Sequence, residues 1–314
     1  MSNTITYKEL SAFHPGYYVE EVIDDLGISQ EEFAARLGTT PKTVSKLVNA
    51  QCNLTDDLAR KLSSMMGTSI ELWINLQKQY DIKIQEIQQA KEIESQIPIL
   101  NKIDYSYFVR EADLPDTADK EERIRNLCKY LRVADLNYLA EPDLIADLGG
   151  EKIVIETRNS INSRAWLQTA INIAQDIDAQ PYNAKILKNK LLEIRDLADK
   201  KPKSVLSKIQ EILSACGVVF VLLPHLKYSD IDGAVKWLNN DKAVVAFSDK
   251  KLDDGTFWLT LFKNIKHVLQ KKTKTVFLDM PSACFDERIQ KFEKEAKEFA
   301  ERNLASIGYD KLTK

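Results

Sequence analysis

Apolar side chains recur every three to four residues from about 14 to 95, the period of helices that each bury one face. Tyr17, Val19, Val22, Ile23 and Leu26 predict a first helix, opened by His14-Pro15-Gly16 and ended by Gly27. Ser29 with Glu32 three residues on is a capping box, and Phe33, Ala34 and Leu37 form the inner face of a second helix that stops at Gly38. Thr40 caps a third, with Pro41 at its first position, where a missing N–H costs nothing; Val44 and Leu47 are its buried side. Thr55 starts a fourth helix carrying Leu58, Leu62 and Met65 to Gly67. Ser69 starts a long fifth through Trp73, Leu76, Tyr80, Ile84 and Ile87, with Pro98 marking its expected end.

Past residue 100 the helical signal weakens. Helices are expected over 120–131, 160–174, 183–199 and 204–216, with a turn at Gly149-Gly150 and a short strand or amphipathic stretch at Lys152-Ile153-Val154-Ile155. Apolar runs then predict strands at 217–223, 243–248 and 275–279, and helices at 256–271 and 285–305. The expected fold class is α+β. An all-α domain covers 1–95, a helical connecting region 96–210 and a small α/β domain 211–314.

Composition narrows the function. A net charge of −3 carries no global basic signal for nucleic acid, so any such binding has to be local. Residues 1–94 hold nine Lys and Arg against fourteen Asp and Glu, yet Arg36, Lys42, Lys46 and Lys61 cluster in or beside the third helix. Cys52, Cys128, Cys216 and Cys284 are far apart, form no C-x-x-C pair and suit reduced thiols. No apolar stretch approaches the ~20 residues of a membrane span and no signal-peptide h-region opens the chain. A cytoplasmic protein that uses no membrane is expected.

The run Ser29-Gln30-Glu31-Glu32-Phe33-Ala34-x-x-Leu37-Gly38-x-Thr40-x-x-x-Val44-Ser45-x-Leu47-x-Asn49 has the form of a helix-turn-helix. A short Gly-containing turn holds two helices steeply so that the second enters the major groove. The candidate DNA-contacting residues are Gln30, Thr40, Pro41, Lys42, Thr43, Ser45 and Lys46. Lysine can donate to guanine O6 and N7, Ser and Thr hydroxyls reach base edges or phosphates, and Gln30 can hold a phosphate or buttress the second helix. With the opening His14-Pro15-Gly16 and the stretch Leu72-Trp73-Ile74-Asn75-Leu76-Gln77, the segment resembles the Xre/Cro-type antitoxins of the HigA group. A helical protein-interaction module is the alternative.

Residues 257–269 read FWLTLFKNIKHVL. A gluzincin helix carries H-E-x-x-H, two histidines binding zinc from one face and a glutamate activating water. The flanking Phe257-Trp258-x-Thr260-Leu261-Phe262 and Val268-Leu269 resemble the ImmA/IrrE family. Here Lys263 stands where the first histidine would be, Asn264 where the glutamate would be, and His267 is retained. A protonated lysine cannot ligate a metal. Downstream, Glu293 to Ala300 resembles the family's E-x-E-A-x-x-F-A segment, which implies the third-ligand role for Glu295. Gly217 to Val221, Leu223-Pro224-His225, Ile231 to Ala234, Trp237-Leu238 and Ala243 to Phe247 follow in the family's order. The resemblance implies a zincin-like domain stripped of catalysis, with no metal and no cofactor. Lys263 and His267 lie one turn apart, and the Lys263 ammonium is expected to pair with Glu295.

Together the resemblances imply an antitoxin that is not an enzyme. It would bind operator DNA as a homodimer, through the first domain and the fifth helix with Trp73, Leu76 and Tyr80, and neutralise a HigB/RelE-like toxin; those apolar positions equally suit internal core, the reading favoured for Trp73. The alternatives are a free-standing regulator with a ligand- or partner-sensing C-terminal domain, or an active metallopeptidase, against which Lys263 and Asn264 argue.

Overall fold

The computed structural model describes residues 3–140, 158–252, 256–279 and 287–305. Two compact units divide the chain, Met1–Ser95 and Gln96–Lys314.

The first unit opens with an antiparallel hairpin, β1 (Thr4–Tyr7) and β2 (Leu10–Phe13), so the N-terminal domain is not all-α as the periodicity predicts. The hairpin is hard to see in the sequence. Its turn is made by Lys8 at φ 51° rather than by Gly or Asn, and among its strand residues only Ala12 is buried. Four helices follow: α1 (Pro15–Leu26), α2 (Gln30–Leu37), α3 (Pro41–Val48) and α4 (Asp56–Met66). Val19, Phe33, Ala34, Val44, Leu47, Leu58 and Leu62 interlock into their core. The long α5 (Ile70–Leu100) runs past Pro98 instead of ending before it. One ladder bond is forfeited there, but Ile99 and Leu100 are buried and hold the last turn.

The His14-Pro15-Gly16 opening has a mechanical explanation. His14 Nδ1 accepts the Gly16 N–H at 3.0 Å as the cap of α1, and its ring stands edge-on to Tyr80 at a centroid distance of 4.8 Å. Burial lowers the His14 pKa, offset only in part by the Cys52 carbonyl, Asp81 and the Leu47 carbonyl. The folded state therefore prefers the neutral ring, and the unfolded chain takes up the extra proton. Stability from this group is complete above about 6.5 and is lost as pH falls through the lowered folded value. Melting curves between pH 7.5 and 5.5 should show this loss. His14→Asn, which keeps a cap acceptor without the proton, should reduce the slope. An identical slope in both proteins would place the titration elsewhere.

In the second unit, helices read from the sequence as a connecting region fold together with the final third of the chain. In order come α6 (Tyr105–Ala112), α7 (Lys120–Leu131), a 3-10 turn (Leu136–Ala140), α8 (Arg158–Asp176), α9 (Ala184–Arg195) and α10 (Pro202–Ser214). Then come β3 (Val218–Leu223), β4 (Gly233–Asn239), β5 (Lys242–Ser248), α11 (Phe257–Gln270), β6 (Phe277–Asp279) and α12 (Glu287–Ala305). The sheet order is β3-β5-β4-β6, with β3 parallel to β5 and β4 antiparallel to both neighbours. Alternation along the strands turns Phe220, Val235, Trp237, Val245 and Phe247 into one core with α9, α10, α11 and α12. The buried α8 packs against β3, β4 and β5, and Trp166 Nε1 donates to the Pro224 carbonyl at 3.2 Å.

Gly149-Gly150, Lys152 to Ile155 and Cys284 lie outside the described residues. Cys52, Cys128 and Cys216 are free thiols, with burial pushing Cys128 up to about 11. No described helix is long and apolar enough to cross a membrane.

Candidate functional site

The first unit builds its helix-turn-helix from two caps and a glycine. Ser29 Oγ accepts the Glu32 N–H at 3.2 Å and starts α2; Gly38 ends it in the left-handed region at φ 68°. Thr40 Oγ1 accepts the Thr43 N–H at 3.2 Å and starts α3 only three residues after α2. Lys61, legible in the sequence only as a cation beside α3, has a structural task. From α4 its Nζ donates to the Gly38 carbonyl at 2.9 Å and meets Asp57 at 2.8 Å, so this cation braces the turn. Val44, Leu47 and Val48 bury one side of α3, which leaves Pro41, Lys42, Ser45 and Lys46 exposed along the other. Thr43 is half-buried with its hydroxyl 2.8 Å from Thr40 Oγ1, and Gln30 is half-buried at the first position of α2. Arg36 is paired with Glu32, whereas Lys42 and Lys46 have no ion-pair partner among the described residues. Two free ammoniums beside small hydroxyls on one helix face suit phosphate and base-edge contact.

Trp73 is a core residue whose Nε1 donates to Thr68 Oγ1 at 2.9 Å, and Gln77 Oε1 accepts the Leu54 N–H at 2.8 Å. Tyr80 packs on His14 and Leu76 on the core of the unit. Trp73 is thus internal core, the reading its sequence position favours, and Leu76 and Tyr80 are half-buried against the same unit. The outward apolar residues of α5 are Ile70, Leu72, Ile74 and Ile82.

The second site joins α11, β6 and α12. Lys263 Nζ lies 2.9 Å from Asp279 Oδ1 and 3.2 Å from Glu293 Oε2. Asn264 Nδ2 donates to Asp279 Oδ2 at 3.0 Å. His267 is buried, stacks on Phe277 at 3.9 Å, and its Nδ1 is 2.9 Å from Gln270 Oε1. Its Nε2 is 3.0 Å from Glu293 Oε1, within ion-pair reach though off the N–H axis. Gly233 makes room beside this group, since a Cβ there would come 2.8 Å from Asp279 Oδ2 and 3.3 Å from the Ala246 carbonyl.

This geometry corrects the expected Lys263–Glu295 pair. The stripe of α12 facing α11 is Glu293, Ala296, Ala300 and Leu304, at helical spacing, and Glu295 lies two residues from Glu293, about 200° around. Glu295 instead accepts from Gln270 Nε2 at 3.2 Å and stands 4.0 Å from Lys266. Burial alone would lower the Lys263 pKa, but the Asp279 and Glu293 carboxylates more than offset this and hold it above the ordinary lysine value. Burial likewise opposes the charge on Glu293, and His267 and Lys263 hold its carboxyl below the usual glutamate value. Among the described residues no three His, Cys, Asp or Glu side chains are grouped to hold a metal ion.

A helix-turn-helix family model matches residues 19–73, and the chain belongs to that family through this segment. It is 37% identical over 68 residues to the HTH-type transcriptional regulator YddM of Escherichia coli, covering 22% of this chain and 72% of that protein. It is 33% identical over 92 residues to virulence-associated protein I of Dichelobacter nodosus, covering 29% of this chain and 84% of that one. Among solved structures, an addiction module antidote protein of a HigA family from Coxiella burnetii is 33% identical, with 27% of this chain and 92% of that one covered and a TM-score of 0.25. PA4674 of Pseudomonas aeruginosa, in complex with its operator DNA, is 30% identical, with 23% and 80% covered and a TM-score of 0.23.

Proposed function

We propose that the chain is an operator-binding antitoxin of a type II toxin–antitoxin module that represses its own operon and neutralises a HigB/RelE-like toxin. The observation that carries the DNA reading is α3, which presents unpaired Lys42 and Lys46 beside Ser45 on its exposed side, with the half-buried Thr43 at its edge. Membership of the helix-turn-helix family supports it. The antitoxin reading rests on the resemblance of His14-Pro15-Gly16 and Leu72 to Gln77 to the HigA group. Those residues serve as the α1 cap and the Trp73 and Gln77 anchors of the first unit.

The second unit, in this reading, is a peptidase-like domain of the ImmA/IrrE kind without catalysis and without a resident metal. A Lys263 ammonium cannot bind a metal and an Asn264 amide cannot act as a base. Two copies of the chain pair on a palindrome, as a helix-turn-helix reads one most directly. The second reading is a free-standing regulator without a toxin; an adjacent toxin-sized reading frame whose product copurifies with this chain separates the two.

Equilibrium binding to the DNA upstream of the gene tests the proposal. Lys42→Ala/Lys46→Ala should weaken it by about 1–3 kcal/mol for each base-edge hydrogen bond removed. Equal binding by both proteins would move the interface to another surface. Light scattering at micromolar concentration should find a dimer, alone or on DNA; monomer in both conditions would exclude the two-fold arrangement.

A further inference from the structure

The chain as a whole is acidic, but its charge is unevenly placed. Residues 184–208, covering α9 and the start of α10, hold eight Lys and Arg against three Asp and Glu, in a chain whose net charge is −3. Part of this is neutralised locally. Lys190 meets Glu193 at 2.6 Å, Lys208 meets Glu211 at 2.9 Å and Glu193 at 3.8 Å, and Arg195 meets Asp196 at 3.7 Å. Lys185, Lys188, Lys200 and Lys201 are exposed and have no ion-pair partner among the described residues. Leu187 and Ile194 anchor the inner side of α9, so Lys185 and Lys188 project from its outer side, and Lys200 and Lys201 sit in the turn beyond its far end. The 12 residues of α9 span ~18 Å, the axial rise of about five phosphates on one DNA strand.

We propose that this face of the second unit contacts the phosphate backbone of duplex DNA, as a surface separate from α3. The inference rests on the DNA-binding reading for the identity of the polyanion. Charge complementarity points to a polyanion, and the composition of the face favours nucleic acid over an acidic protein. Beside its lysines it exposes Asn189 and Ser207, donors that suit phosphate oxygens, and a large apolar side chain, Leu192, between Lys185 and Lys188 around the helix. Protein–protein interfaces are depleted in lysine and enriched in Tyr, Trp, Met and Arg, and this face exposes none of the first three. A second contact on the same polymer would bind at high effective concentration once the first is made.

The test is the salt dependence of DNA binding by the full chain, measured on duplex from its own upstream region and on duplex of unrelated sequence. Lys185→Ser, Lys188→Ser, Lys200→Ser and Lys201→Ser are combined in one variant, all at exposed positions. The slope of log K against log salt should become shallower by roughly two to four units, at about 0.9 for each phosphate no longer neutralised. The same substitutions added to Lys42→Ala/Lys46→Ala should remove the residual binding to unrelated duplex. That arm reads the lysine face whether or not α3 selects an operator. If upstream DNA is not preferred but lysine-dependent binding to unrelated duplex persists, the operator reading fails and this inference stands. If preference for upstream DNA disappears with Lys42 and Lys46 while the four-lysine variant leaves both slopes unchanged, the inference is overturned. The face would then belong to an acidic protein partner or to solvent.

Discussion

Replacing Gly16 with alanine is expected to destabilise the first unit by at least the roughly 1–3 kcal/mol typical of overpacked positions. A Cβ at this position would sit 1.9 Å from the Leu47 carbonyl oxygen and 2.7 Å from its carbon, both backbone atoms near the end of α3. His14 Nδ1 lies 3.0 Å away and is held by the Gly16 N–H, so neither neighbour can swing aside cheaply. α1 would have to retreat from α3, which would move the recognition helix and cost DNA affinity along with stability. Gly27→Ala is the control. A Cβ there meets nothing within 4 Å, and its cost is confined to the strain of a left-handed φ of 63°. Urea denaturation of the full chain should therefore rank Gly16→Ala well below Gly27→Ala. Equal midpoints for the two would mean that α1 does not approach α3 this closely.

The second large effect is expected at Lys263. Lys263→Met removes the ammonium that faces Asp279 and Glu293, and leaves two mostly enclosed carboxylates beside each other; the three side chains are 22%, 13% and 17% exposed. Removing one member of a buried ion pair costs on the order of 3 kcal/mol. Adding Asp279→Asn and Glu293→Gln to Lys263→Met should recover much of the loss, because no unpaired charge remains. The pH profile carries the same signature. Glu293 has a depressed pKa, so its contribution is present above about 4.5 and is lost as pH falls through the folded value. Lys263 has a raised pKa, so its contribution is present below about 10.5 and is lost as pH rises through the folded value. Melting temperature against pH should lose both limbs in the triple variant. An unchanged melting temperature for Lys263→Met would show that the ammonium does not hold these elements together.

Legibility followed the strength of the local signal. Ser29, Gly38, Thr40 and Pro41 are caps and turn residues whose chemistry acts within four residues, so the helix-turn-helix was readable from the chain alone. The β1–β2 hairpin was not, because its turn uses Lys8-Glu9 and its strands bury little. β4 was missed for a related reason: Gly233 and Lys236 interrupt its apolar run, and its strand character comes from pairing with β5 and β6 on either side. Lys263, Asn264 and His267 are placed together by the sequence because one helix carries all three. Their partners Asp279 and Glu293 come from other elements, and only the packing of α12 against α11 decides between Glu293 and Glu295. A shift of two residues on a helix reverses the face, and motif resemblance alone did not resolve it.

The most direct test of the central claim is a hydroxyl-radical footprint of the purified chain on the DNA upstream of its own gene. The expected result is protection of two patches about one helical turn apart, or a multiple of that, abolished when Lys42 and Lys46 are both alanine. A uniformly cleaved duplex at protein concentrations that saturate the binding assay, or a footprint indifferent to those substitutions, would contradict an operator-reading α3.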